Sequence, residues 1–193
     1  MRELGVMVKG ILAGFYGPAI ALLGWQAWHL EALDQRLLAM AIFLLSLDLW
    51  IMAVFDLQQV ARVRTLLIND AKLDRFYKVT MITIALEWVG MYGAQSSLWV
   101  GAAVILISQV GFNLFAGVQL LPDQKEPIVT FGIRDRALVL VADSVGVGLV
   151  SLGLAGVMPL GMASGLLGMV IIYGGVKIVD LLKGLTLRSS TKI

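Results

Sequence analysis

Cysteine is absent from this chain, and histidine occurs once, at His29. Without thiols there is no disulfide, thiolate zinc site or iron–sulfur cluster, and one imidazole cannot make a bis-histidine haem. No cofactor is expected on these grounds. Charge is scarce as well: Asp, Glu, Lys and Arg supply 15% of 193 residues, against about a quarter in a soluble domain. The net charge of +2 is too small and too scattered to make a nucleic-acid footprint. Phosphate loops, dinucleotide fingerprints and zinc-hydrolase motifs are missing, because the glycines lie inside apolar runs and do not follow candidate strands. The chain does not read as an enzyme.

Apolar residues are abundant. They make up 59% of the chain, mean hydropathy is +0.90, and the charges cluster in short stretches between runs long enough to cross a hydrocarbon core about 30 Å thick. Segments such as Leu37 to Phe55 are apolar nearly all round and lack the alternation of a barrel strand. The expected fold is an all-α, polytopic membrane helix bundle with six transmembrane helices, at about 8–28, 37–55, 79–95, 98–120, 137–158 and 160–181. Residues 1–193 read as a single integral membrane domain. Arg2 and Lys9 precede a first run too long for a signal-peptide core, with no small-x-small cleavage site after it, so that run reads as a span.

Six spans put the N-terminus, Asp56 to Lys78, Pro122 to Arg136 and the C-terminal tail on one side. Of the 15 Lys and Arg, only Arg36 falls opposite. The positive-inside rule then makes both termini cytoplasmic and points to a bacterial inner membrane or its equivalent. Trp25, Trp28, Tyr92 and Trp99 fall at the outer interface, where amphipathic rings favour the headgroup level. The Asp56 to Lys78 stretch is amphipathic and helical in pattern, either extending helix two or lying on the membrane surface.

Ionisable groups inside a span cost about 2.5 to 3.5 kcal/mol each on insertion scales and need a partner, a proton or a function. Asp48, Glu87 and Asp143 sit in helices two, three and five at depths of roughly 9 to 12 Å from their cytoplasmic ends. Asn113 on helix four lies at a similar level, with Ser46 and Ser144 beside the belt and Lys177 nearer the end of helix six. Asp48, Glu87, Asn113 and Asp143 are therefore the candidate transport site. Lys177 is the candidate ion-pair partner, for Asp143 or for Asp180 one turn on.

Small residues make a second pattern. Ala13, Gly17 and Ala21 recur at i, i+4 and i+8 on helix one, and Gly161 and Gly165 form a G-x-x-x-G pair on helix six. Such stripes allow close helix packing within the chain, or contact with a second copy or a larger membrane complex through helix one. Pro18 removes a backbone bond and is expected to loosen that helix.

Three likenesses bear on function. Gly161 to Gly165 resembles the serine motif of rhomboid proteases, but the only histidine comes earlier and at the outer end of helix one, so Ser164 has no base. Leu140 to Ser144 with Ile171 to Lys177 resembles the last helix pair of cation diffusion facilitators. The positions four residues either side of Asp143 are Val139 and Val147, so the paired metal ligand is missing and no metal site is expected. In length, six spans and cytoplasmic termini the chain is similar to the substrate-binding subunits of energy-coupling-factor vitamin transporters, whose first helix also uses small residues. Two functions follow as expectations. One is a small transporter or channel-like protein for a cation, proton or small solute; the other is a non-catalytic subunit or assembly factor of a larger membrane complex.

Overall fold

A computed structural model describes the backbone of residues 2–67, 70–122 and 124–190; side chains are described from Gly10 to Val179, except at positions 11, 68, 69, 123 and 178. The element order is α1 (Arg2–His29), α2 (Leu33–Leu66), α3 (Ala71–Gly93), α4 (Leu98–Phe115), β1 (Val118–Leu120), β2 (Ile128–Thr130), α5 (Ala137–Leu154) and α6 (Pro159–Ser190). The helical expectation holds, and the helices form three antiparallel hairpins with tight turns after His29, Gly93 and Leu154. α2 packs against α1, α3, α4 and α6, while α5 bridges α4 and α6, so the six helices close into a ring.

Each turn has a local cause. Asp70 caps α3 by accepting from the N–H groups of Lys72 at 2.8 Å and Leu73 at 3.0 Å. Gly156 at φ 75° and Met158 at φ 43° turn α5 into α6. Gly117 at φ 66° ends α4 and sends the chain into β1. α4 is thus shorter than the expected 98–120, because its last residues form a strand. β1 pairs antiparallel with β2, Val118 opposite Thr130 and Leu120 opposite Ile128. This hairpin corrects the reading of Pro122 to Arg136 as a plain basic loop.

The main core runs through all six helices, from Tyr16, Leu23 and Ile42 to Met91, Ile105, Val150 and Leu166. A second, smaller core joins Val60 and Val63 of α2, Leu73 and Phe76 of α3, Ala116, and Val118 and Leu120 of the hairpin. It explains why the amphipathic stretch after Asp56 extends α2: its apolar face has α3 and the hairpin to pack on. Large apolar side chains cover the outside, with Leu138 84% and Ile172 70% exposed, as suits a surface solvated by lipid. Among the described residues four helices are long and apolar enough to cross a membrane: α2, α4, α5 and the Pro159–Lys177 part of α6. The chain is an integral membrane helix bundle.

The small residues divide by position. A Cβ added at Gly10, Gly14 or Gly17 would meet nothing within 4 Å, and Ala21 is exposed. Of the Ala13, Gly17, Ala21 stripe, Ala13 and Gly17 are half-buried and Ala21 is exposed, while α1 turns Leu12, Tyr16, Ala19 and Leu23 inward. Close packing occurs elsewhere: a Cβ on Gly101 would lie 2.5 to 2.6 Å from Ala94, backbone atoms included, and one on Gly153 would lie 2.3 Å from the Trp99 ring. Trp99 is consequently a packing residue as well as a terminal aromatic, whereas Trp25 and Trp28 are exposed at 60% and 79%. We expect Gly101→Ala to destabilise the protein by about 1 to 3 kcal/mol through overpacking and Gly14→Ala to leave it unchanged or slightly more stable. Thermal melts in mild detergent decide, and equal melting temperatures would contradict the close approach.

Candidate functional site

The helices carry the lining residues, polar ones with Met52, Phe76 and Phe112 among them, in stripes about one turn apart, so each stripe shares a face. On α2 these are Asp48, Met52, Asp56 and Gln59; on α3, Phe76, Thr80, Thr83 and Glu87; on α4, Gln109, Phe112 and Asn113; on α6, Tyr173 and Lys177. All of these residues line one cavity of about 430 Å³, whose far wall is the β-hairpin and Arg136. A neighbouring cavity shares Phe55, Gln59, Leu120 and Leu121 and adds Gln58, Arg62 and Gln124 beyond the hairpin.

Three polar linkages meet there. The first ties α2 to α6: Lys177 Nζ donates to Asp48 Oδ1 at 2.8 Å and Oδ2 at 2.7 Å. This corrects the expected pairing of Lys177 with Asp143 or Asp180. Lys177 faces α2 across the cavity and stands 4.7 Å from the Tyr173 ring centroid; the side chain of Asp180 lies outside the described residues.

The second joins three helices at Glu87, which is 3% exposed. One carboxyl oxygen accepts from the Tyr16 hydroxyl of α1 and the other from the Gln109 amide of α4. Both partners can change roles, because a hydroxyl both donates and accepts and an amide can turn over. Glu87 can therefore be served in either protonation state without rebuilding its surroundings.

The third linkage runs from α5 to the hairpin. Asn113 donates through Nδ2 to Asp143 Oδ2 at 2.9 Å, and its Oδ1 accepts from Arg136 Nη1 at 3.3 Å. Arg136 Nη2 also donates to the carbonyl of Val118 at 2.9 Å. The guanidinium stands between the rings of Phe112 and Phe131, 5.3 and 5.2 Å from their centroids. Arg136 is 7% exposed, and its Nε–H has no partner among the described residues. Burial lowers the pKa of this guanidinium, and the charge of Asp56 opposes that shift; it stays cationic at neutral pH.

Asp48, Glu87, Asn113 and Lys177 thus line one cavity. Asp143 does not line the cavity and reaches it through Asn113. Ser46 is fully buried with its Oγ unpartnered, while Ser144 is exposed. Sequence reasoning passed over Tyr16, Asp56, Gln109 and Arg136. Gln109 was findable, one turn before Asn113 on the same face, and Tyr16 is a phenol in an apolar span that needs an acceptor. Asp56 and Arg136 were read as cytoplasmic charge because each sits at the edge of an apolar run. Searches of family models, curated proteins and solved structures found none that matches this chain.

The Asp48–Lys177 pair is only about a third exposed, at 29% and 33%. Removing one partner strands the other charge, so Asp48→Asn or Lys177→Met alone should each destabilise the protein by about 1 to 3 kcal/mol, and the double variant should recover part of that loss. A double-mutant cycle of melting curves checks this. Additive losses would mean that the pair contributes no coupling.

Proposed function

We propose that this chain crosses an inner-membrane-type bilayer six times, with both termini cytoplasmic, and moves a cation, a proton or a small solute through the polar cavity. The observation that carries the reading is the cavity lining. Its acidic residues, Asp48, Asp56, Glu87 and Asp135, outnumber its bases, Lys177 and Arg136, and a surplus of carboxyls inside a membrane bundle favours cationic cargo. Glu87, held by partners that serve both protonation states, is the residue through which a proton would be taken or released. The reading assigns no catalytic step and no cofactor.

Counting α1 and α3 as spans is supported by their packing. α1 buries Tyr16 and Leu23 in the same core as the four span-length helices, and α3 carries Glu87 to the same cavity. The lopsided Lys and Arg distribution supports the sidedness. Because the chain has no cysteine, single substitutions at exposed Thr65 and Ser96 make a clean topology test. A membrane-impermeant maleimide applied to right-side-out vesicles should label Ser96→Cys and spare Thr65→Cys, and the reverse pattern would invert the topology. For transport, ion or proton flux into proteoliposomes should fall about tenfold or more in Glu87→Gln and stay unchanged in Asp74→Asn, a surface residue paired with Arg64. Equal flux in the Glu87 variant and the parent would contradict the pathway.

The open glycine face of α1 favours a second reading, a subunit that meets a second copy or a larger complex there. Co-purification in mild detergent tests it: a stoichiometric partner lost on Gly14→Leu and Gly17→Leu supports the subunit reading, and an unaltered lone monomer contradicts it.

A further inference from the structure

We propose that the cavity binds an organic ammonium compound, with Asp56 receiving the ammonium group. The inference rests on reading the cavity as a solute site and narrows the cargo to one chemical class.

Asp56 is the acid left over. Among the lining carboxyls, Asp48 is taken by Lys177, Glu87 by Tyr16 and Gln109, and Asp135 by the N–H of Gly132 at 2.8 Å. Among the described residues Asp56 has no hydrogen bond or ion pair. The cations whose fields reach it are Arg136 and Lys177, and both are bonded elsewhere, to Asn113 and Val118 and to Asp48. A half-buried carboxylate that lines a cavity and, among the described residues, has neither a hydrogen bond nor an ion pair of its own is a place for a cationic ligand.

The lining does not make a site for a divalent metal ion. Among the described residues no three His, Cys, Asp or Glu side chains stand close enough to hold one, and hard divalent ions demand about six oxygen ligands. The volume of about 430 Å³ also falls within the range of about 300 to 1,000 Å³ typical of small-molecule pockets. Met52, Phe55 and Ile84 supply an apolar wall for the body of such a molecule. The site already seats cations on aromatic rings, Arg136 between Phe112 and Phe131 and Lys177 beside Tyr173.

The experiment is calorimetric titration of the full chain in mild detergent with 2-amino-1-phenylethanol and with 1-phenylethanol, which lacks the amine. The amine should bind saturably and at least about tenfold tighter than the alcohol, the size of one charge-assisted hydrogen bond. Asp56→Asn should abolish that preference, Asp56→Glu should restore it, and Asp74→Asn should leave it intact. The absence of saturable amine binding, equal binding of the alcohol, or a preference that survives in a folded Asp56→Asn protein would each overturn the proposal. Proteoliposome flux separates this result from the transport reading. Glu87-dependent flux without amine binding overturns the ligand class and leaves transport standing, whereas Asp56-dependent binding without flux supports the ligand class and removes transport.

Discussion

A charge enclosed by apolar helices has to find its partner on another helix, because hydrocarbon offers no water to solvate it. Most of the polar architecture follows from that constraint. Lys177 reaches Asp48 across the space between α6 and α2, two helices far apart in sequence. Glu87 draws Tyr16 and Gln109 from α1 and α4. Each contact is specific because the alternative is an unsolvated group, so these few bonds set how the hairpins are rotated against one another. Leu-rich surfaces alone would leave that rotation loosely defined.

Arg136 applies the same constraint at the end of the bundle. Its guanidinium bonds Asn113 and the backbone of β1, while its face meets two phenylalanines. The short hairpin would be marginal alone. It is held by Arg136 and by the second core, where Val118 and Leu120 meet Val60, Val63 and Phe76. The hairpin thereby walls off one cavity from its neighbour and gives the polar site a floor that the helices do not provide.

Much of this was legible in the chain. The number of helices, short turns between the first and second, third and fourth, and fifth and sixth, and the helical amphipathic pattern after Asp56 follow from apolar period and charge placement. The intramembrane acids announced themselves by their cost. What could not be read was pairing. Lys177 has Asp180 one turn away and Asp143 on the preceding helix, yet it bonds Asp48 because α6 packs on α2. The small-residue stripe of α1 fitted an internal seam and an outside contact alike, since spacing marks a face without naming what the face meets. Asp56 and Arg136 sit at the edges of apolar runs, where a charge reads equally well as solvated or as turned inward.

The sequence by itself determined that the chain is helical, rich in lipid-compatible surface, without thiol chemistry and in need of partners for a handful of buried polar groups. These are properties of composition and of period along one helix. The tertiary structure alone decided which groups meet, that the residues after Phe115 form a strand, and that four acids and two bases share a cavity. Contacts between helices depend on the azimuth and crossing of packed surfaces, and periodicity within one helix carries no information about its neighbour.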